Sequence, residues 1–198
     1  MKNYLITLIV LTGIFNSCTS RGTSQPINTD SLSSTTTPFV DSLETLINPN
    51  IKYDARYRKL TNMCDDVPAN VGVCSDVIIR AFAKIDRCLA QEMYNYRKRK
   101  GHATDRHIDH RRVRNLGALF TDYGYEIPAK HSRYNADYYK PGDILWWKIN
   151  GITDHVGIVT KSGKVLHNYG MGQIANVTPF AYKIHKVYRL PSYCICAN

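Results

Sequence analysis

The hydrophobic periodicity of this chain changes once, and that change limits the architectures open to it. Up to Gly124 the apolar residues recur at helical spacing, and from Pro141 onward they fall into short alternating runs. Val40, Leu43, Leu46 and Ile47 predict a helix that Asn48-Pro49-Asn50 stops, and a second amphipathic stretch runs from Ile51 to Leu60. Cys74 to Leu89 reads as the central helix, with Val77, Ile78, Ala81, Phe82 and Ile85 forming its apolar stripe. Another helix is predicted over Arg112 to Tyr123, ending at Gly124. Beyond it the strands read Ile144-Leu145-Trp146-Trp147, Val156-Gly157-Ile158-Val159, Lys164-Val165-Leu166-His167 and Lys186 to Leu190, with turns at Asn150-Gly151 and Ser162-Gly163. Helices first and an antiparallel meander afterwards predict an α+β domain whose sheet packs on the Cys74 helix.

The ends of the chain read differently. Residues 1–17 carry one lysine and then an apolar run from Tyr4 to Phe15, too short for a comfortable membrane span and shaped like a secretion signal. Asn16-Ser17-Cys18 sets Cys18 where a bacterial lipoprotein signal has its lipidated residue, so a membrane anchor and an exported, envelope location are expected. Residues 18–38 are dominated by Ser, Thr, Asn, Gln, Gly and Pro and are expected to form a disordered tether. That leaves 39–198 as one domain, and a hydrophobic content of 43% supplies its core. The formal charge is +10, of which Lys2 is the only contribution from residues 1–17, so the remainder stays at +9. In an exported protein such a charge suits an anionic cell wall. The run Arg97-Lys98-Arg99-Lys100 is short and flanked by no nucleic-acid motif, and reads as a solvated face or loop; no nucleic-acid partner is expected.

With Cys18 and Cys74 set apart, Cys64, Cys88, Cys194 and Cys196 remain, and an oxidising envelope permits two disulfides; four cysteines allow three pairings, and the alternating spacing of Cys194 and Cys196 disfavours a bond between those two. A zinc site is not indicated, since no CxxC occurs and no histidines cluster beside these cysteines.

The chemistry centres on Cys74. A helix N-terminus beside an imidazolium lowers a thiol pKa, and Asp154-His155-Val156-Gly157 offers a histidine at a strand mouth. His167 has the same strand parity twelve residues on, so one hairpin can place the two imidazoles on one face. Asn168 is the competing orienting group, but adjacent strand residues point to opposite faces and parity favours His167. Backbone N–H groups at the helix start, Cys74 included, would form the oxyanion hole.

The order Cys74-Ser75-Asp76, Pro141-Gly142-Asp143-Ile144, His155-Val156-Gly157-Ile158 and Val165-Leu166-His167 resembles the NlpC-type, papain-like cell-wall cysteine peptidases. More narrowly, Gly72 to Phe82, Ile108 to Val113, Pro141-Gly142-Asp143 and His167-Asn168-Tyr169-Gly170 resemble the bacterial family known as domain of unknown function 1287, over roughly residues 53–190. The resemblance implies an NlpC-like fold with Cys74 as nucleophile, His155 as base and acid, and His167 as orienting group. It implies hydrolysis of an amide in peptidoglycan stem peptides, without metal or cofactor. Asp76 stands where many NlpC-type proteins have a small residue, which bears on substrate shape. Asp76, Asp109, His110, Arg111, Arg112 and Asn168 are candidate substrate-binding residues. Arg111 or Arg112 would grip a carboxylate, while Asp109 also reads as a helix cap.

Asp143 is expected to fix the turn into its strand. One of Trp146 and Trp147 should be core and the other should line the cleft, and Tyr134, Tyr138 and Tyr139 are candidates for a saccharide or peptide platform. Two other functions fit less well: an acyltransferase or thioesterase, which needs an apolar channel, and a wall-binding module without turnover.

Overall fold

The computed structural model describes residues 38–191. The expected signal segment, the expected tether up to residue 37, Cys18, Cys194 and Cys196 lie outside the described residues.

The chain opens with helix α1 (Pro38–Glu44), which buries Phe39, Val40 and Leu43. The stretch expected to be a second amphipathic helix is instead a short strand, β1 (Lys52–Tyr53), followed by irregular chain. Its backbone is drawn out by partners across the turn that precedes Cys74: Lys52 N–H donates to the Asn70 carbonyl and Asp54 N–H to that of Gly72. β1 therefore pairs in parallel with β2 (Val71–Gly72).

Helix α2 (Cys74–Ala83) follows, and the predicted stripe is its buried face, with Val77, Ile78, Ala81 and Phe82 fully enclosed. It stops six residues sooner than expected. The chain turns through Asp86 at positive φ, and Cys88 lies outside α2, at the N-cap of α3 (Leu89–Arg99), where its sulfur accepts from Gln91 N–H. Cys88 is disulfide-bonded to Cys64. The basic run is the last turn of α3 and is not simply solvated. Arg97 pairs with Asp109, and Arg99 and Lys100 both pair with Asp122. Cations there also complement the negative end of the helix dipole.

A single 3-10 turn (Asp109–Arg111) leads into α4 (Val113–Asp122), which ends at Gly124 in the left-handed region as expected. Strand β3 (Glu126–Ile127) comes next, then a 3-10 segment (Arg133–Tyr138), and the strands β4 (Ile144–Ile149), β5 (Thr153–Val159), β6 (Val165–Asn168), β7 (Gln173–Val177) and β8 (Lys183–Tyr188). The sheet order is β3-β8-β4-β5-β6-β7, so β4, β5 and β6 form a meander as predicted, the unpredicted β7 continues it, and the fourth predicted strand, β8, pairs with β4 instead of following β6. β3 and β7 had no strand signal strong enough to read. Asp143 fixes the turn into β4, accepting from Lys140 N–H at 2.9 Å and from both sides of the Arg189 fork at 2.7 Å.

The sheet has a core on each face. One contains the α2 stripe, α4, Trp146, Val156 and Ile158, and the other gathers Leu145, Trp147, Val159 and Val165. Both tryptophans are consequently buried, one in each core, and neither lines the cavity beside Cys74. Gly117 lets α4 approach the first core closely: a Cβ there would lie 2.5 Å from the Trp146 ring and 2.9 Å from the Tyr188 hydroxyl.

Alanine is a better helix former than glycine, yet Gly117→Ala should destabilise the protein by about 1–3 kcal/mol, because the ring must move in a packed core. Urea denaturation followed by tryptophan fluorescence measures this. Unchanged or increased stability would show that α4 shifts freely over the sheet.

Candidate active site

The strands β5 and β6 pair over only two positions, Ile158 with Leu166 and Val159 with Val165, and then part. The backbone direction at the gap follows from register. Val159 N–H donates to the Asp143 carbonyl on the β4 side, so the N–H of Val156, of opposite parity, points to the β6 side. Cys74 fills that position. Its sulfur accepts from Val156 N–H and is flanked by the N–H groups of Ser75 and of Cys74 itself. The N-terminus of α2 is thus wedged where the hairpin opens, one residue from His155.

His155 and His167 project from the parted ends. Their rings are joined by a hydrogen bond of 2.9 Å between His155 Nε2 and His167 Nδ1. His167 Nε2 in turn lies 3.0 Å from Asn176 Oδ1, on the neighbouring strand β7. The amide oxygen only accepts, so His167 carries its proton on Nε2 and receives the His155 Nε2–H at Nδ1. The remaining nitrogen of His155, Nδ1, then has its lone pair free of a proton. Among the described residues Cys74 is hydrogen-bonded to neither histidine.

The surroundings of these groups are dry. Burial pushes the Cys74 thiol up to about 11, the Asp76 charge acts the same way, and the three N–H groups oppose both. Burial, and secondarily His167, pushes His155 down to about 3. His167 is also lowered by burial, against its hydrogen bond to Asn176. The pair is therefore a neutral thiol and a neutral imidazole at pH 7. The aromatic neighbours account for the dryness: Trp147 stacks on His155 at 5.7 Å, and Tyr169 meets it edge-on at 4.9 Å.

The other expected site residues divide sharply. Asp76 and Arg111 are buried against each other, Nε on Oδ1 and Nη2 on Oδ2 at 2.8 Å. Asp76 also accepts from Val73 N–H at 2.7 Å, and the guanidinium donates to the carbonyls of Asp54 and Arg56. Both side chains are committed within the protein, which removes Arg111 as a carboxylate grip. Asp109 caps neither the 3-10 turn nor α4, contrary to expectation; its carboxylate accepts from Asp105 N–H at 2.6 Å and pairs with Arg97. His110 is buried beside this cluster and pushed down to about 4 by burial. Asn168 points away from His155 and ties β6 to the carbonyls of Ile51 and Gly72. Arg112 alone of the set is exposed, on the wall of a cavity of about 510 Å³ that opens beside Cys74.

The expected tyrosine platform lies elsewhere. Tyr138 and Tyr139 bond to the carbonyls of Pro128 and Lys130, and none of the three tyrosines lines this cavity. Tyr53 does line it, and Tyr169 covers His155. Those two, with Asn176, were missed. Tyr169 had a signal, since it follows the His167-Asn168 motif, whereas Asn176 lies on a strand whose sequence gives no clear alternation.

A search of solved structures finds none that matches this chain. The uncharacterized protein YijF of Escherichia coli (strain K12) is 30% identical to it over 204 residues, spanning 96% of this chain and 98% of that protein. The family described as domain of unknown function (DUF1287) matches residues 40–190, which include every residue of the site just described. This chain belongs to the DUF1287 family.

Proposed function

We propose that this protein is a cysteine hydrolase of the cell envelope that cleaves an amide bond in peptidoglycan stem peptides, built on a papain-like, NlpC-type arrangement. The observation that carries the reading is the chain His155–His167–Asn176, which leaves His155 Nδ1 unprotonated at the strand opening that Cys74 occupies. In this reading Cys74 Sγ attacks the amide carbon as His155 Nδ1 takes the thiol proton. The oxyanion receives N–H donors from the first turn of α2, whose amides have no partner within the helix. His155 then returns the proton to the departing amine, and water, deprotonated by the same nitrogen, releases the acyl group and restores the thiol. Lipid anchoring at Cys18 would hold the enzyme against the wall it cuts. A lipid acyl chain is a poorer substrate, because the cavity beside Cys74 is lined by Arg111, Arg112 and Arg114.

Three outcomes follow. Purified peptidoglycan treated with the wild type should yield new amino groups by mass spectrometry, and with Cys74→Ala none; equal digests would defeat the hydrolase reading for that substrate.

Because the thiol is raised and the imidazole lowered, Cys74 is protonated at neutral pH and its thiolate fraction grows as pH climbs toward about 11. Iodoacetamide alkylation of Cys74 should accordingly accelerate about tenfold per pH unit between about pH 6 and about pH 9. A rate flat across that window would mean a preformed thiolate–imidazolium pair.

Asn176→Ala should lower kcat about tenfold with little change in KM, by freeing His167 to adopt the other tautomer. Asn176→Asp, which still accepts from Nε2–H, should retain most activity, and 15N spectra of the imidazoles report the tautomer directly. Wild-type kcat in the alanine variant would show that water replaces the amide.

A further inference from the structure

We propose that the cavity beside Cys74 is a carboxylate-recognition subsite, in which Arg112 and Arg114 hold an anionic group of the substrate. The inference deepens the hydrolase reading and rests on Cys74 as the reacting atom.

Three guanidinium groups and one carboxylate, that of Asp154, line the cavity. Their pairings decide which are available. Arg111 is filled by Asp76 and by backbone carbonyls. Asp154 is oversupplied, accepting from Lys148 Nζ at 2.5 Å and from Trp146 Nε1 at 2.7 Å as well as from Arg114 Nε at 2.5 Å. Arg114 is therefore not needed to satisfy Asp154, and its side chain is 72% exposed. The guanidinium of Arg112 has no hydrogen-bond or ion-pair partner among the described residues. The cavity wall thus carries positive charge that the protein does not neutralise.

The position of that charge is also fixed. Arg112 stands in extended conformation between the 3-10 turn and α4, with its neighbour Arg111 locked in the interior. Its backbone cannot swing away without breaking the Asp76 pair. The first turn of α4 contains no acidic residue, so no side chain of its own competes with an incoming anion for the guanidinium. A planar guanidinium offers two parallel N–H donors to a carboxylate, a geometry that a carboxamide of equal size satisfies less well. The cavity, at about 510 Å³, has room for a short peptide segment, and Cys74 lines it together with both arginines.

The test needs no knowledge of the natural substrate. Iodoacetate, iodoacetylglycine and iodoacetyl-γ-aminobutyrate present a carboxylate at increasing distance from one electrophilic carbon, and each has a neutral carboxamide counterpart. On alkylation the thiolate electron pair forms the S–C bond and iodide departs. Rates are read at Cys74 by mass spectrometry of its peptide, with glutathione giving the intrinsic preference of a free thiol. Relative to glutathione, at least one carboxylate should alkylate Cys74 roughly tenfold faster than its carboxamide and should saturate with concentration. The preference, taken as the ratio of carboxylate to carboxamide rate within each variant, should vanish in Arg112→Gln and shrink in Arg114→Gln; both side chains are exposed, and circular dichroism confirms folding. The subsite is overturned if the carboxamides react as fast at every length, or if the arginine variants keep the preference. A folded thiol that reacts with none of the six, when the unfolded chain reacts with all, defeats the nucleophile reading and the subsite with it.

Discussion

The buried pair Asp76–Arg111 organises the chain around Cys74. Asp76 stands at the third position of α2 and receives Val73 N–H, which stops the helix from starting earlier and sets where Cys74 emerges. Arg111 comes from the 3-10 turn ahead of α4, and its other donors reach the carbonyls of Asp54 and Arg56 after β1. Ser75 closes the contact with a 2.6 Å hydrogen bond to the Arg111 carbonyl. Three segments far apart in sequence therefore meet at one ion pair. Enclosing two charges is costly, but stranding either one costs about 3–5 kcal/mol, so the pair works as a lock on geometry more than as a source of stability.

This lock has an electrostatic consequence. Asp76 puts a negative charge near the Cys74 thiol, which by itself disfavours the thiolate. Arg111, held bidentately, offsets that charge while staying inside the protein. Without such a partner, an acid two residues after a buried cysteine would add an uncompensated charge to its surroundings. The sequence shows Asp76 and Arg111 as two separate polar residues in two motifs, and suggests substrate contacts for both. Only their spatial meeting reveals that each exists for the other.

Periodicity made much of the architecture legible. The α2 stripe, the end of α4 at Gly124 and the four main strands follow from residues whose burial dictates their spacing. What escaped was decided by tertiary partners. Residues 52–54 extend because Asn70 and Gly72 supply carbonyls, α2 stops short because the chain turns at Asp86, and β8 is drawn beside β4 without any local signal. The same division runs through the candidate site. Strand parity alone put His155 and His167 on one face, yet nothing local to Asn176 announces that its oxygen sets the proton on His167.

The parting of β5 from β6 connects fold to chemistry. A fully zipped hairpin would satisfy Val156 N–H on β6 and close the space where α2 begins. Because pairing ends at Ile158 and Leu166, one backbone donor is released to Cys74 and the two histidines gain room to bond through their side chains. Gly157 shows how tight the remaining contact is: a Cβ there would lie 2.6 Å from Val165 and 3.2 Å from the His167 Cβ. The glycine thus lets His167 pass close to β5 and reach Nε2 of His155 from the side. In a chain whose charge, cavity and histidine relay all converge on the mouth of α2, the early end of one strand pair is what gives them a common point.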